Sequence, residues 1–191
     1  VKLMQECWEE VRDKDIRKYR LDILARIAHF HKLVGDTKTA EKCTREILSI
    51  DNQHAGANIL IGLMESNKGN SEAAAEYYQK AVESGNSDAS LLLAELQNEV
   101  GTSDLAIKTL NKILRSTKDV DQHRHATNLL IEANLRLGKV VEAKQIAESF
   151  LKKYPGDVRV SIQQAKILSI QSGEQEYRRT LLQIANNVSS A

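Results

Sequence analysis

Few side chains in this sequence have the types and spacing that carry out chemistry. Asp121, His123 and His125 come closest to a set of metal ligands. Two histidines that are two residues apart point in different directions on a helix, and no cysteine is near them in the sequence. The sequence contains no phosphate-binding loop, no nucleophile elbow and no pair of carboxylates placed to share a cleft. We therefore expect no enzyme activity, no cofactor, no metal site and no small-molecule substrate.

The composition is that of a helical protein with nearly balanced charge. The 27 basic and 26 acidic residues give a net charge of +1, whereas nucleic-acid binding normally depends on a strong basic excess. No apolar run reaches the roughly 18 residues that a membrane-spanning helix needs. Cys7 and Cys43 have no paired spacing and favour buried thiols in a reducing compartment. We expect a cytoplasmic protein that binds neither nucleic acid nor a membrane.

One unit recurs along the chain. Four turn glycines, separated by 34, 32 and 37 residues, mark it: Gly35, Gly69, Gly101 and Gly138. Five residues after each glycine is an alanine: Ala40, Ala74, Ala106 and Ala143. Seven residues before each glycine is Ala28, Gly62, Ala94 or Ile131, and twelve residues after it is Ile47, Ala81, Ile113 or Phe150. Fixed spacing within units and variable spacing between them predicts stacked helical hairpins.

These hairpins account for the whole sequence. Proline occurs once and no stretch alternates as a strand would, so the fold class is all-α. We expect Gly35 to end the first helix of its unit, and Asp36, Asn70 and Thr102 to cap the helices that follow the turns. We predict a single helical-repeat domain over residues 1–191. It comprises a partial unit at 1–14, repeats near 15–50, 54–84, 87–116 and 123–153, and a degenerate terminal repeat at 157–188.

The repeated positions resemble the tetratricopeptide repeat (TPR), a helical hairpin of about 34 residues. The second unit carries the resemblance best, through Ile61, Gly62, Ala74, Tyr78 and Ala81. Other units contribute Leu24, Ile27, Ala28 and Ala40; Leu93, Ala94, Ala106, Leu110 and Ile113; and Leu130, Gly138, Ala143, Phe150 and Pro155. The resemblance implies a right-handed solenoid of about four to five antiparallel hairpins. The first helices would line a concave groove and the second helices would form the convex back.

The predicted groove is apolar. Some family members grip a carboxylate with Lys, Asn and Arg on successive first helices, but apolar residues stand at most of the matching places here. The first helices of the second and third repeats are apolar nearly all round, which requires burial on every side or a partner. The candidate partner-binding residues are Ile59, Leu60, Leu63, Leu91 and Leu92, extended by Asn128, Leu129 and Glu132, with His29 facing the groove. Curvature of the solenoid or neighbouring repeats could equally cover the leucines.

The sequence thus predicts a non-enzymatic scaffold within a larger multiprotein complex. Its groove would bind another protein through a peptide or an amphipathic helix. Two alternatives stay open at this point. One is a helical-repeat RNA-binding protein, which the near-neutral charge and the leucines disfavour. The other is a structural spacer that contacts its partners through its two ends.

Overall fold

A computed structural model describes the backbone of residues 2–189 and the side chains of residues 16–170 and 172–186. Ten helices and no β-strand occupy the described backbone. In chain order they are α1 (Lys2–Leu33), α2 (Thr37–Ile50), α3 (Ala55–Asn67), α4 (Ser71–Glu83), α5 (Ser87–Glu99), α6 (Ser103–Ser116), α7 (Val120–Arg136), α8 (Val140–Lys153), α9 (Val158–Ser172) and α10 (Glu174–Ser189). The predicted all-α class is confirmed.

Helix α1 is uninterrupted, although the sequence analysis placed a boundary near residue 14. The segment from Arg12 to Lys18 contains neither glycine nor proline, so nothing in it ends a helix. The side chains of residues 1–15 lie outside the described part of the chain. The assignment of residues 1–14 to a preceding repeat therefore stays a prediction.

Five helices end at a glycine through the same pair of hydrogen bonds. At Gly35 (φ +81°) the amide of Asp36 donates to the carbonyl of His31 at 2.9 Å, and the amide of Gly35 donates to Lys32 at 3.2 Å. This arrangement satisfies carbonyl groups that the helix leaves unpaired. The same pair recurs at Gly69, Gly85, Gly101 and Gly138. The predicted helix end at Gly35 is confirmed.

Only one of the three predicted capping side chains caps its helix. Asp36 accepts a hydrogen bond from the amide of Thr39 at 3.1 Å, and hydrogen bonding by Thr39 lowers the pKa of Asp36. Asn70 instead donates to Glu65 at 2.8 Å. The Thr102 hydroxyl donates to a backbone carbonyl in the preceding helix. The prediction for these two side chains is wrong because each turns back toward the helix before it.

Caps that the sequence analysis did not predict precede the first helices of the later hairpins. In each cap, a side-chain atom accepts a hydrogen bond of 2.8–3.1 Å from the backbone amide three residues later. The accepting atoms are Nδ1 of His54 and the Oδ1 atoms of Asn86, Asp119 and Asp157. They stand in the loops between hairpins. These loops therefore fix where each hairpin begins.

The chain divides into two compact units, residues 1–89 and 90–191. In unit 1, α1 pairs with α2, α3 pairs with α4, and α2 packs against α3. A Cβ atom at Gly62 would lie 2.5 Å from Cε1 of Tyr78, so α3 and α4 meet there without room for any side chain. Ala74 is fully buried in the same hairpin. Gly62 and Ala74 thus allow α3 and α4 to approach closely.

Unit 2 has two hydrophobic clusters. The first joins α5, α6 and α7 through residues that include Ala94, Leu110 and Leu130. The second joins α7, α8 and α9 through residues that include Ile131, Phe150 and Ile167. The division between the units falls within α5, and the prediction that residues 1–191 form a single domain stays a prediction.

Candidate functional site

Unit 1 contains an apolar groove that several of the predicted residues line. Ile59, Leu60 and Leu63 of α3 face Ala25 and Ala28 of α1 across a hollow of about 260 Å³. The three α3 side chains are half-buried. Part of each of these three side chains is therefore accessible to a ligand inside the hollow. We call this hollow the unit-1 groove.

Basic side chains border the unit-1 groove. His29, Lys32 and His54 contribute to its lining. A second hollow, of about 430 Å³, adjoins it along α1. The two share Ala25 and His54, and the second is lined further by Arg17, Lys18, Leu21 and Asp22. The groove thus continues along α1 past its apolar centre.

The positively charged side chains at this border differ in whether they already form hydrogen bonds or ion pairs within the protein. Arg17 donates to the carbonyl of Ile50, and the one acid, Asp22, is paired with Arg26 at 2.9 Å. Lys18 and Lys32 form no ion pair within the described part of the chain. Two lysine ammonium groups are therefore free to meet a carboxylate on a bound segment.

His54 has a structural role beside the unit-1 groove. Its Nδ1 atom accepts the amide hydrogen of Ala57 at 3.1 Å and so caps α3. The neutral ring then carries its proton on Nε2. The side chain that borders the groove thus also fixes the start of the helix that lines it.

The predicted residues of unit 2 separate into core and surface. Leu91 and Leu129 are each only 6% exposed and belong to the cluster of α5, α6 and α7. They stabilise the unit and present no free surface, which corrects their assignment to a partner-binding wall. Leu91 was assigned to the wall because its helix is apolar nearly all round, and Leu129 as an extension of the same wall, but neighbouring helices cover both residues. Leu92, Asn128 and Glu132 are half-buried.

Polar groups inside the helices were not predicted. Asn98 is 2% exposed, and its Nδ2 atom donates to the carbonyl of Leu129 at 3.1 Å, joining α5 to α7. Asn58 is fully buried in α3 and donates to the carbonyl of Asn52 at 2.9 Å. The Oδ1 atoms of Asn58, Asn98 and Asn128 are buried without a hydrogen-bond partner in the described structure. These residues share no position relative to the turn glycines, so the repeat pattern gave no signal for them.

Of the two histidines considered for metal binding, His123 packs in an aromatic cluster and His125 is exposed. The ring of His123 lies 5.6 Å from that of Phe150 and 6.1 Å from that of Tyr154, measured between centroids. Burial, and then the charge of Lys153, lowers the pKa of His123. Asp121 is paired with Arg124. Across the described side chains, no group of three or more His, Cys, Asp or Glu is placed to hold a metal ion.

A third hollow, which was not predicted from the sequence, lies in unit 2. It measures about 350 Å³ and is lined from α6, α7 and α8 by residues that include Leu114, His123, Ile146 and Lys153. It lies against the aromatic cluster of His123, Phe150 and Tyr154.

Within the described residues no helix is both long and apolar enough to cross a membrane.

Comparisons with known proteins define the class. A tetratricopeptide repeat model matches residues 55–84, and a second one matches residues 129–157. No curated protein matches the chain. A structure of PilF from Pseudomonas aeruginosa is 20% identical, covers 89% of this chain and 77% of that one, and has a TM-score of 0.73. A tetratricopeptide repeat protein from Parabacteroides merdae is 13% identical, with coverages of 97% and 78% and a TM-score of 0.74.

YrrB, described as a TPR protein with an unusual peptide-binding site, is 16% identical, with coverages of 85% and 84% and a TM-score of 0.64. At such identities the likeness concerns the fold. Helical hairpins with shared turn chemistry and two matching repeat models define a repeat protein of the all-α class. The chain is thus a helical-repeat protein that contains tetratricopeptide repeats at residues 55–84 and 129–157. Proteins of this kind are generally non-enzymatic scaffolds that bind other proteins or peptides.

Proposed function

We propose that the chain is an interaction scaffold that binds an amphipathic segment of a partner protein in the unit-1 groove. The observation that carries the proposal is the groove itself. Ile59, Leu60 and Leu63 line an apolar hollow, although α3 also packs on both α2 and α4. A helix that exposes apolar side chains beyond those two contacts has surface available for a ligand.

The border of the groove indicates the character of the segment. Apolar side chains of the segment would enter between α1 and α3, since aliphatic residues line both walls. Carboxylates flanking them would meet Lys18 and Lys32, which form no ion pair in the described structure. An exposed ion pair of this kind contributes little affinity and more to orientation and association rate. We therefore assign affinity to the leucines and orientation to the lysines.

Affinity capture from a native lysate tests the proposal, with the 191-residue chain as bait and quantitative mass spectrometry as readout. Leu63→Glu places a charge in the groove and is expected to lose the captured partner at least tenfold. Leu105→Glu is the matched control because Leu105 is exposed on α6 and does not line the groove. Circular dichroism must first show that both variants are as helical as the wild type.

Two results would contradict the proposal. If Leu63→Glu and wild type capture the same proteins, binding lies elsewhere and the chain acts as a spacer. If Leu63→Glu loses helicity while Leu105→Glu does not, Leu63 is a core residue and the groove loses its main support. A capture eluate dominated by RNA, released by salt, would favour the nucleic-acid alternative.

A further inference from the structure

The hollow lined by α6, α7 and α8, which we call the unit-2 hollow, combines apolar walls with unpaired polar groups. It measures about 350 Å³, and α6 and α8, the second helices of consecutive hairpins, both pack on α7. Leu130 and Phe150, each 5% exposed, and the half-buried Leu114 and Ile146 supply the apolar lining. Ligand pockets typically measure roughly 300–1,000 Å³, so this volume suits a single side chain better than a whole helix.

An additional helical turn at the start of α7 contributes to the unit-2 hollow. Asp119 caps α7 at 19 residues before the turn glycine, whereas His54 and Asn86 cap α3 and α5 at 15 residues before theirs. Four more residues make about one more turn. In α7 the place 15 residues before the glycine is occupied by His123, which lies within the helix and lines the hollow. The additional turn therefore brings an ionisable ring to this hollow.

Two polar side chains of α7 face the unit-2 hollow without a partner. Thr127 is only 2% exposed and lines the hollow, and its hydroxyl group forms no hydrogen bond within the described structure. The ring nitrogens of His123 likewise form none with the described residues. Burial, and then the charge of Lys153, lowers the pKa of His123, so its ring is neutral at pH 7. A neutral ring and a hydroxyl group each offer one donor and one acceptor to a ligand.

Lys153 makes the rim of the unit-2 hollow attractive to an anion. Its side chain is exposed, its Nζ atom lies 5.2 Å from the ring centroid of Tyr154, and it forms no ion pair with any described side chain. The other exposed lining residues are the neutral Asn111, Gln145 and Ser149. No Asp or Glu is among the described residues that line the hollow. A carboxylate on a ligand thus meets a positive charge and neutral donors without an opposing acid.

Three rings that meet at the unit-2 hollow favour an aromatic ligand. The centroid of Phe150 lies 4.8 Å from that of Tyr154 and 5.6 Å from that of His123. The His123 ring stands at 71° to Phe150 and 77° to Tyr154. Aromatic rings at such distances and angles attract each other beyond the effect of the area that they bury. A further ring that enters the hollow extends this cluster, whereas an aliphatic side chain only fills space.

We infer that the unit-2 hollow is a second binding site, which takes an aromatic side chain followed directly by an acidic residue in a segment of a second partner protein. The ring packs on Phe150 and Tyr154, and the carboxylate faces Lys153. The unit-2 hollow shares no lining residue with the unit-1 groove, so the inference is independent of the proposed function.

Two-dimensional NMR of the isotope-labelled 191-residue chain tests the inference. The probe is a short glycine–serine peptide that contains one tryptophan followed by one aspartate, added up to about 2 mM to detect dissociation constants near 1 mM. We expect shifts of the amide signals of residues that line the unit-2 hollow. Ser149→Trp fills the hollow and is expected to weaken binding at least tenfold. Glu148→Trp is the matched control, because Glu148 is exposed beside it on α8 and does not line the hollow.

A second pair of variants tests the charge without altering the shape of the hollow. Lys153→Gln is expected to weaken binding about threefold, which is the contribution of one exposed ion pair. The same substitution should have no effect on a peptide with asparagine in place of aspartate. Lys152→Gln is the control, because Lys152 is exposed on α8 but does not line the hollow.

Absence of shifts at the highest peptide concentration would overturn the inference. So would binding that Ser149→Trp leaves unchanged in a folded variant, or shifts confined to α1 and α3. Equal binding of the aspartate and asparagine peptides by the wild type would refute the acidic part of the assignment. Leu63→Glu, which tests the unit-1 groove, should leave binding of this peptide unchanged, so the two proposals fail separately.

Discussion

At the scale of single residues, two glycines of α3 have opposite roles. A Cβ atom at Gly62 would overlap the ring of Tyr78, whereas one at Gly56 would meet nothing closer than 3.5 Å. The repeat pattern showed that a small residue stands at this place in both hairpins of unit 1, as Ala28 and Gly62. It could not show that an aromatic ring of α4 is the neighbour.

Gly62→Ala is expected to lower the free energy of unfolding by about 1–3 kcal/mol, because the extra methyl group overpacks the contact with Tyr78. Gly56→Ala is the control in the same helix and should be neutral or stabilising by up to ~1 kcal/mol, since alanine is the better helix former. Urea denaturation measures both. Equal effects of the two substitutions would contradict the close packing of α3 on α4.

Asp157 combines a helix cap with an ion pair in unit 2. Its Oδ1 atom accepts the amide of Val160 at 3.0 Å, and its Oδ2 atom accepts from Arg124 of α7. Asp157→Ala should reduce the free energy of unfolding by about 1–2 kcal/mol, because α9 loses its cap. Asp157→Asn keeps an oxygen acceptor and should fall between alanine and wild type. A loss for asparagine as large as that for alanine would show that the ion pair, and not the cap, is the stabilising contact.

At the scale of helices, the spacing of small residues predicted the hairpins well. The alanines five residues after each turn glycine, such as Ala40 and Ala106, are fully buried. The caps could be predicted less well, because any Asp, Asn or Thr near a turn is a candidate. Which way a side chain turns depends on its neighbours in space. Asn70 turns to Glu65 for this reason.

Glu65 connects α3 to its neighbours in unit 1. It accepts from Asn70 at 2.8 Å and Lys68 at 3.0 Å, and lies 3.5 Å from Arg45 of α2. The hydrogen bonds from Asn70 and Lys68 lower the pKa of Glu65 below the ordinary value of about 4.5 for a glutamate side chain. A carboxyl whose pKa falls on folding stabilises the folded state above the pKa of the unfolded chain. That stabilisation disappears as the pH falls from about 4.5 through the folded-state pKa.

Glu65→Gln is therefore expected to reduce stability at pH 7 and to flatten the loss of stability below about pH 4.5. Glu72→Gln is the control, because Glu72 is exposed on α4 and forms no ion pair in the described part of the chain. Urea denaturation of the wild type, Glu65→Gln and Glu72→Gln between pH 3 and pH 7 measures how the free energy of unfolding depends on pH. An acid-induced loss in Glu65→Gln as steep as in wild type would exclude Glu65 as its source.

At the scale of the whole molecule, the sequence predicted the fold class and part of the candidate site. His29, Ile59, Leu60 and Leu63 come together in the unit-1 groove. The sequence could not separate them from Leu91 and Leu129. An apolar residue on a first helix satisfies the same pattern whether a neighbouring helix or a partner covers it.

Hydrogen–deuterium exchange on the chain, with and without its captured partner, tests the central claim most directly. The partner is expected to slow amide exchange in residues 55–67 of α3 and in the groove-lining part of α1, residues 25–32. Exchange in α6 and α8 should be unchanged. Slower exchange confined to α6 and α8, with α3 unaffected, would show that the partner binds outside the unit-1 groove and would contradict the account.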